Sequence, residues 1–365
     1  ATVTRSTPKT VYDPTTQHIY DVPANYLAVT PRSDGKSGVE AVIEESRTNY
    51  VINSSFEADS NDDGVANGWG TYVYSGGTGT SSMSNKESTY DNGSYLLDKT
   101  NSLGQLYAVQ TVSTTPGSTY TYSCWVNSNT TSALIDISHD SVWSATYVSS
   151  NKLNQWTRLS TTFTNTTTTT STVRVAIYGA LGTAYFDSCQ LEVGAFASSY
   201  IPTVASVVAR NADVVTVPTT GWGSSKGSML GVIGSPGASA AASDVFSRSN
   251  DGAGIQSAMI SGEFYPRLMG GDSVSQSPDN HVATTLPGVV GVTWDNASAY
   301  GYGNGVSTSV GNIVTRISSS YPTRIGARID GVMYYNGPIS RVVVYSNSLS
   351  SSDISTVTNA IKDGP

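Results

Sequence analysis

Asp59, Asn61 and Asp63 stand at alternate positions in the stretch from Asn53 to Trp69, and Gly64 follows directly. Oxygen ligands at this spacing, closed by a glycine turn, open a calcium loop. An EF-hand would need a carboxylate at the twelfth loop position, which here is Gly70, and helix-favouring flanks are missing. The spacing leaves two readings, a calcium loop of another kind or an acidic surface turn.

Sugar recognition asks for aromatic faces beside carboxylates and amides. Trp143 and Tyr147 share one face of the segment from Ser141 to Val148, with His139 and Asp140 immediately before them. This segment is the first choice for a ligand platform, against the competing reading of core packing. Tyr300 and Tyr302, on a glycine-rich hairpin, are the second choice. Trp69, Trp125 and Trp156 stand in segments where aromatics fill a sandwich core.

Catalytic patterns fare worse. Gly223-Ser-Ser-Lys-Gly227 matches the nucleophile elbow, but an elbow joins a strand to a helix, and the sequel Met-Leu-Gly-Val-Ile is strand-like. His18, His139 and His281 are far apart and show no metal-ligand spacing. A glycosidase needs two carboxylates. Glu263 is the single glutamate after residue 200, and Asp244, Asp251, Asp272, Asp279 and Asp295 lie in turn-like settings. The expectation is no enzyme.

The elements that must position these residues are strands. Only 13% of the 365 residues are charged, with 35 Gly, 22 Tyr and long Ser/Thr runs. Period-two alternation marks Leu106–Val112, Tyr120–Val126, Ala133–Ile137, Trp156–Phe163 and Val173–Tyr178, with turn clusters between them. A second series runs through Val214–Val217, Ser228–Ile233, Gly254–Ile260, Val289–Trp294 and Ile339–Tyr345. The spacing predicts an all-β protein of two antiparallel sandwiches. One short helix closes the chain: Ser350 and Asp353 form a capping box, and Ile354, Val357 and Ile361 follow at helical spacing.

The formal net charge of −8 comes without a basic stripe, which disfavours nucleic acid as a partner. No apolar run reaches membrane-spanning length, and no signal peptide is read at the start. Cys124 and Cys189 are the only cysteines. A disulfide between them would stabilise by about 4 kcal/mol at most in the chain-entropy model. Two buried thiols acting as small hydrophobes is the alternative, and slightly the preferred one.

Asn53-Ser-Ser-Phe-Glu57, the Asp/Asn/Gly loop and Gly68-Trp69, with Tyr185-Phe-Asp-Ser-Cys-Gln-Leu-Glu192 much later, resemble the first and last strands of jelly-roll carbohydrate-binding modules. That resemblance implies a structural calcium between the end strands and adds Glu57 and Asp187 to Asp59, Asn61 and Asp63. A second resemblance joins Thr4-Arg5-Ser-Thr, Ile43-Glu-Glu-Ser-Arg47-Thr-Asn49, Gln190–Thr203 and Ala209-Arg-Asn-Ala-Asp213, in that order, to bacteriophage tail and fibre proteins. Val292-Thr-Trp-Asp-Asn296 with Tyr302-Gly-Asn-Gly-Val306, and Arg324-Ile-Gly-Ala-Arg328 running on to Tyr335–Tyr345, resemble concanavalin-A-like and laminin-G-like domains.

The expected organisation is a strand-rich leader over 1–48, a jelly-roll module over 49–203 and a concanavalin-A-like sandwich over 204–365. What the resemblances imply is a multi-copy protein on the virion surface, outside the cell, binding cell-surface glycans through Trp143, Tyr147, Asp140 and Tyr302 with structural Ca2+. The alternative is a decoration protein whose sandwiches bind other virion subunits; a glycan depolymerase is a further, lesser one.

Overall fold

The computed structural model describes residues 1–32, 35–139, 142–218, 226–234, 243–250, 253–260, 263–270, 273–275, 282–283, 286, 288–295, 298–311, 323–328 and 334–363. The described residues form antiparallel β-sheets, as the alternation requires, and one C-terminal helix, Ser351–Asp363. The chain divides into two compact units, each assembled from separate stretches of sequence.

One unit comprises Lys9–Asp21 and Ser46–Arg210. Its ten sandwich strands are β1 (Gly70–Tyr74), β2 (Gly79–Ser84), β3 (Ser94–Lys99), β4 (Gln105–Thr114), β5 (Thr119–Ser128), β6 (Leu134–His139), β7 (Val142–Ser149), β8 (Thr157–Thr164), β9 (Ser171–Gly179) and β10 (Gly182–Val193). They form two five-stranded sheets, ordered β7-β6-β9-β4-β1 and β8-β5-β10-β3-β2. Leu106, Ala108, Ile135, Ile137, Val175 and Ile177 from the first sheet meet Tyr122, Cys124, Val126, Phe186 and Leu191 from the second in one buried core.

Cys124 and Cys189 form a disulfide inside that core. This corrects the preference for free thiols. The reason is a β-bulge: the β5/β10 register shifts between Ser123 and Trp125, and Ser188 sits at φ 53°. One extra residue on β10 lets Phe186, Cys189 and Leu191 all face inward, which strict alternation forbids. Trp69 packs in this core, whereas Trp125 and Trp156 lie in a separate cluster with Tyr12 and Ile19, supplied by the paired strands Lys9–Asp13 and His18–Val22.

The other unit comprises Ala1–Pro8, Val22–Glu45 and Asn211–Pro365. Its larger described sheets have eight and seven strands. Val39–Ile43 pairs with Gly337–Tyr345, and Thr2–Thr4 pairs with Val214–Val217, so the leader is built into the sheets. The C-terminal helix packs Ile354 and Ile361 on Leu230, Val232 and Tyr302, and its capping box forms, with Asp353 N donating to Ser350 Oγ at 3.2 Å. Lys226 and Gly227 lead into the strand Gly227–Ile233, while Gly223 to Ser225 lie outside the described residues.

The charged residues of the leader motifs form buried polar clamps. Arg5, 1% exposed, meets Asp213 at 2.5 Å, and the other Asp213 oxygen accepts Glu44 N at 2.9 Å. In the unit containing Ser46–Arg210, Arg47–Asn49 pairs with Val208–Arg210, and the Arg47 guanidinium lies over the Phe196 ring at 4.6 Å. Each buried charge here is held by a partner, which offsets its desolvation.

Candidate ligand face and acidic turn

The β7-β6-β9-β4-β1 sheet turns one face to the core and the other outward. On the outward face, register places Tyr72, Tyr107, Tyr178 and Leu134 in one row across β1, β4, β9 and β6. The next row holds Gly70, Val109, Ala176, Asp136 and Tyr147. Thr111, Arg174 and Ser138 make the third.

Tyr72 and Tyr107 stack at 5.5 Å between ring centroids, and Tyr107 and Tyr178 stack at 5.0 Å. Inner rings spend their faces on one another, so Tyr107 and Tyr178 are buried. Tyr72, on the edge strand, is 52% exposed and keeps a ring face for a ligand. It walls an open groove with Tyr50, Trp69, Val109, Thr111 and Ser113. Gly70 leaves room for the ring, since a Cβ there would stand 3.1 Å from Tyr72 Cε2. Gln110 closes the groove floor by bonding both polar groups of the Ile52 backbone, at 2.8 and 3.0 Å.

Asp136 stands in the row next to the tyrosines, on the same face. Its Oδ2 accepts the Tyr178 hydroxyl at 3.3 Å, and burial pushes its carboxyl up to about 6, with that hydroxyl pulling the other way.

Tyr147 is 62% exposed on the same face as Asp136. Trp143 belongs to β7, but its side chain and that of His139 lie outside the described residues, as does Asp140. Tyr302 is corrected: it is 4% exposed because the C-terminal helix packs over it, while Tyr300, two residues earlier on the same face of the strand, remains 40% exposed. Tyr72, Tyr107, Tyr178 and Asp136 escaped the sequence reading. Alternation marks each face, but only the pairing of distant strands brings those faces together.

The five expected calcium ligands serve separate local contacts. Asn61 Nδ2 donates to Asp63 Oδ2 at 2.9 Å, and Asp63 Oδ1 accepts Val65 N at 2.8 Å, so these two close an exposed local turn. Glu57 and Asp187 instead grip the turn at residues 89–93. Asp187 Oδ2 accepts Thr89 N, Thr89 Oγ1 and Tyr90 N at 2.6, 2.8 and 2.9 Å. Glu57 Oε1 accepts Gly93 N at 2.7 Å. Burial pushes the Asp187 carboxyl up to about 7, against the pull of those donors. Among the described residues no three carboxylate, cysteine or histidine side chains converge as a metal-holding group.

A hard cation takes six to eight oxygens, many of them backbone carbonyls. Gly93 is closely packed by oxygens: a Cβ there would stand 2.5 Å from Glu57 Oε1 and 2.8 Å from the Ser55 carbonyl. Asp59 Oδ1 is also buried without a hydrogen-bond partner. Glu57 and Asp187 accept donors of the 89–93 turn, Asp59 Oδ2 accepts Gly64 N at 2.8 Å, and Asn61 and Asp63 bond each other, so the five expected ligands do not converge on one cation position.

No protein-family model matches the chain, and no curated protein does. Solved structures similar to it include a bacteriophage CBA120 tailspike enzymatically active domain, at 15% identity and TM-score 0.32, covering 40% of this chain. This chain spans 21% of that tailspike chain. Domain 4 of the Geobacillus stearothermophilus arabinanase AbnA, in complex with arabinotriose, is 12% identical with TM-score 0.33, over 45% of this chain and 82% of that one. The family 11 carbohydrate-binding module of Clostridium thermocellum, in complex with a mixed-linked tetrasaccharide, is 12% identical with TM-score 0.27, over 43% and 97%.

Proposed function

We propose that this chain is a glycan-binding protein that receives a sugar chain in the groove walled by Tyr72, with Tyr147 further along the same face. The observation that carries this reading is the half-exposed Tyr72 ring, backed by Tyr107 and Tyr178 and opening on hydroxyl-bearing Thr111 and Ser113. Pyranose rings have apolar faces that pack on aromatic rings and edges that hydrogen-bond to hydroxyls and amides. Binding proceeds without cleavage: Asp136 is the one carboxylate that the described strands set on this face, where glycoside hydrolysis uses two.

The finer reading is adhesion on a bacteriophage surface, outside the cell, in many copies that add avidity to weak single sites. Support comes from the ordered leader motifs and from the buried disulfide, which suits an oxidising compartment. The structural calcium expected from the resemblance belongs to this finer reading, with Glu57 and Asp187, which already grip the turn at 89–93, as the ligands it would use.

A glycan array on the purified protein, run with calcium and with EDTA, tests the reading. Specific sugar binding that is lost in Tyr72→Ala is the expected result. No signal in either buffer, with tight binding to virion subunits, would replace it by a decoration role.

A further inference from the structure

Asp136 is 3% exposed, and its Oδ1 has no hydrogen-bond partner among the described residues. Its Oδ2 takes the hydroxyl of Tyr178, which stacks on Tyr107, which stacks on Tyr72. A hydrogen bond at the buried end of the row is therefore joined through two ring contacts to the half-exposed ring at the open end. We propose that Asp136 is the positioning residue of the ligand face, fixing Tyr178 and, through Tyr107, the tilt of the Tyr72 ring that a glycan meets. The proposal deepens the glycan-binding reading and rests on it for its ligand.

An ionised carboxylate holds a phenol proton about twice as strongly as a neutral acceptor does. Protonating Asp136 weakens that bond and makes the carboxyl a donor in need of its own acceptor. Tyr178 is then free to shift, and closely packed rings cannot shift one at a time. Since burial raises the Asp136 carboxyl to about 6, the change falls at mildly acid pH. The groups around it are Tyr178 and Arg174 from β9, Tyr107 from β4, Tyr147 from β7 and, from the opposite sheet, Tyr122 of β5. Tyrosine and arginine do not ordinarily change charge between about pH 5 and pH 8, whereas histidine does. His139, on the same strand, therefore needs its own control.

The test is NMR of the full chain with 13C-labelled tyrosine rings, titrated from about pH 5 to about pH 8. Tyr178 and Tyr72 resonances are expected to move with a common midpoint near 6. Both should be flat in Asp136→Asn. Tyr178→Phe keeps the ring and loses the hydroxyl, so it should flatten Tyr72 even where the Asp136 variant folds poorly. His139→Gln should keep the midpoint.

Affinity electrophoresis in soluble xylan, galactan and mixed-linked glucan supplies the binding readout. Binding is expected to be about three- to tenfold weaker at about pH 5 than at about pH 7.5, and insensitive to pH in Tyr178→Phe. A Tyr72 ring that stays still while Tyr178 titrates overturns the proposal, as does a midpoint lost in His139→Gln. If both rings titrate together and none of the three polysaccharides binds, the positioning role stands and the glycan reading fails.

Discussion

Tyr72 is held on one side by Tyr107 and is half-exposed on the other. Truncating an exposed side chain at a sheet edge usually changes stability by no more than about 0.5 kcal/mol. Losing an aromatic stacking surface costs about 0.5–1.5 kcal/mol, or roughly two- to tenfold in affinity. Tyr72→Ala should therefore weaken glycan binding by about that factor in calorimetry while the melting temperature stays put. Tyr302→Ala should do the reverse, because that ring is buried with the C-terminal helix. Gly93→Ala tests the acidic turn: its Cβ would stand 2.5 Å from Glu57 Oε1, so Glu57 must leave. The expected outcome is a lower melting temperature that calcium no longer raises; a variant that answers calcium like the wild type refutes the site. At this scale the sequence was legible where one strand suffices. Tyr147 could be placed on a face by counting along its own strand. Tyr72, Tyr107 and Tyr178 could not, since their stack exists only through the register of β1, β4 and β9.

Strand positions and the capped helix follow from periodicity, so most elements were readable before any pairing was known. The bulge opposite Cys124 was not. Nothing in Phe186-Asp-Ser-Cys189 announces that Ser188 adopts a left-handed conformation, yet this one residue decides that Cys189 reaches the core. It also turns Asp187 toward the amides of Thr89 and Tyr90. The bulge thus links the disulfide to the acidic turn within β10. The bridge spans a sequence separation of 65, for which the chain-entropy model allows roughly 4 kcal/mol. Replacing both cysteines by alanine should lower the stability of the Ser46–Arg210 unit by roughly 3–4 kcal/mol and leave the other unit unchanged. Hydrogen exchange read on peptides from each unit separates the two effects. Equal protection in variant and wild type would show that the bridge contributes nothing to holding β5 and β10.

Neither unit is a continuous piece of chain, a property invisible to motif reading because motifs are matched in sequence order. Residues 204–365 on their own would lack Val39–Ile43, which pairs with Gly337–Tyr345, and Arg5, which neutralises the buried Asp213. A fragment of those residues should bind a hydrophobic dye and be cut quickly by protease where the full chain resists. A cooperatively folded fragment would mean the leader strands are dispensable. The pH dependence of the full chain carries the calcium question further. Asp136 and Asp187 titrate at about 6 and about 7 when folded, above the ordinary 3.8, so the native state binds more protons than the unfolded chain between those limits. Their contribution to stability is therefore greatest below about pH 4 and declines as pH rises toward about 7. For Asp187 alone the loss is on the order of 4 kcal/mol. In EDTA the melting temperature of the Ser46–Arg210 unit should thus fall by several degrees between about pH 5 and about pH 8. A cation beside Asp187 favours the ionised form and removes that penalty, so calcium should narrow the gap by raising the alkaline value more than the acid one. Calcium that shifts both values equally would place its binding away from Asp187, and calcium without effect would leave the turn held by its hydrogen bonds alone.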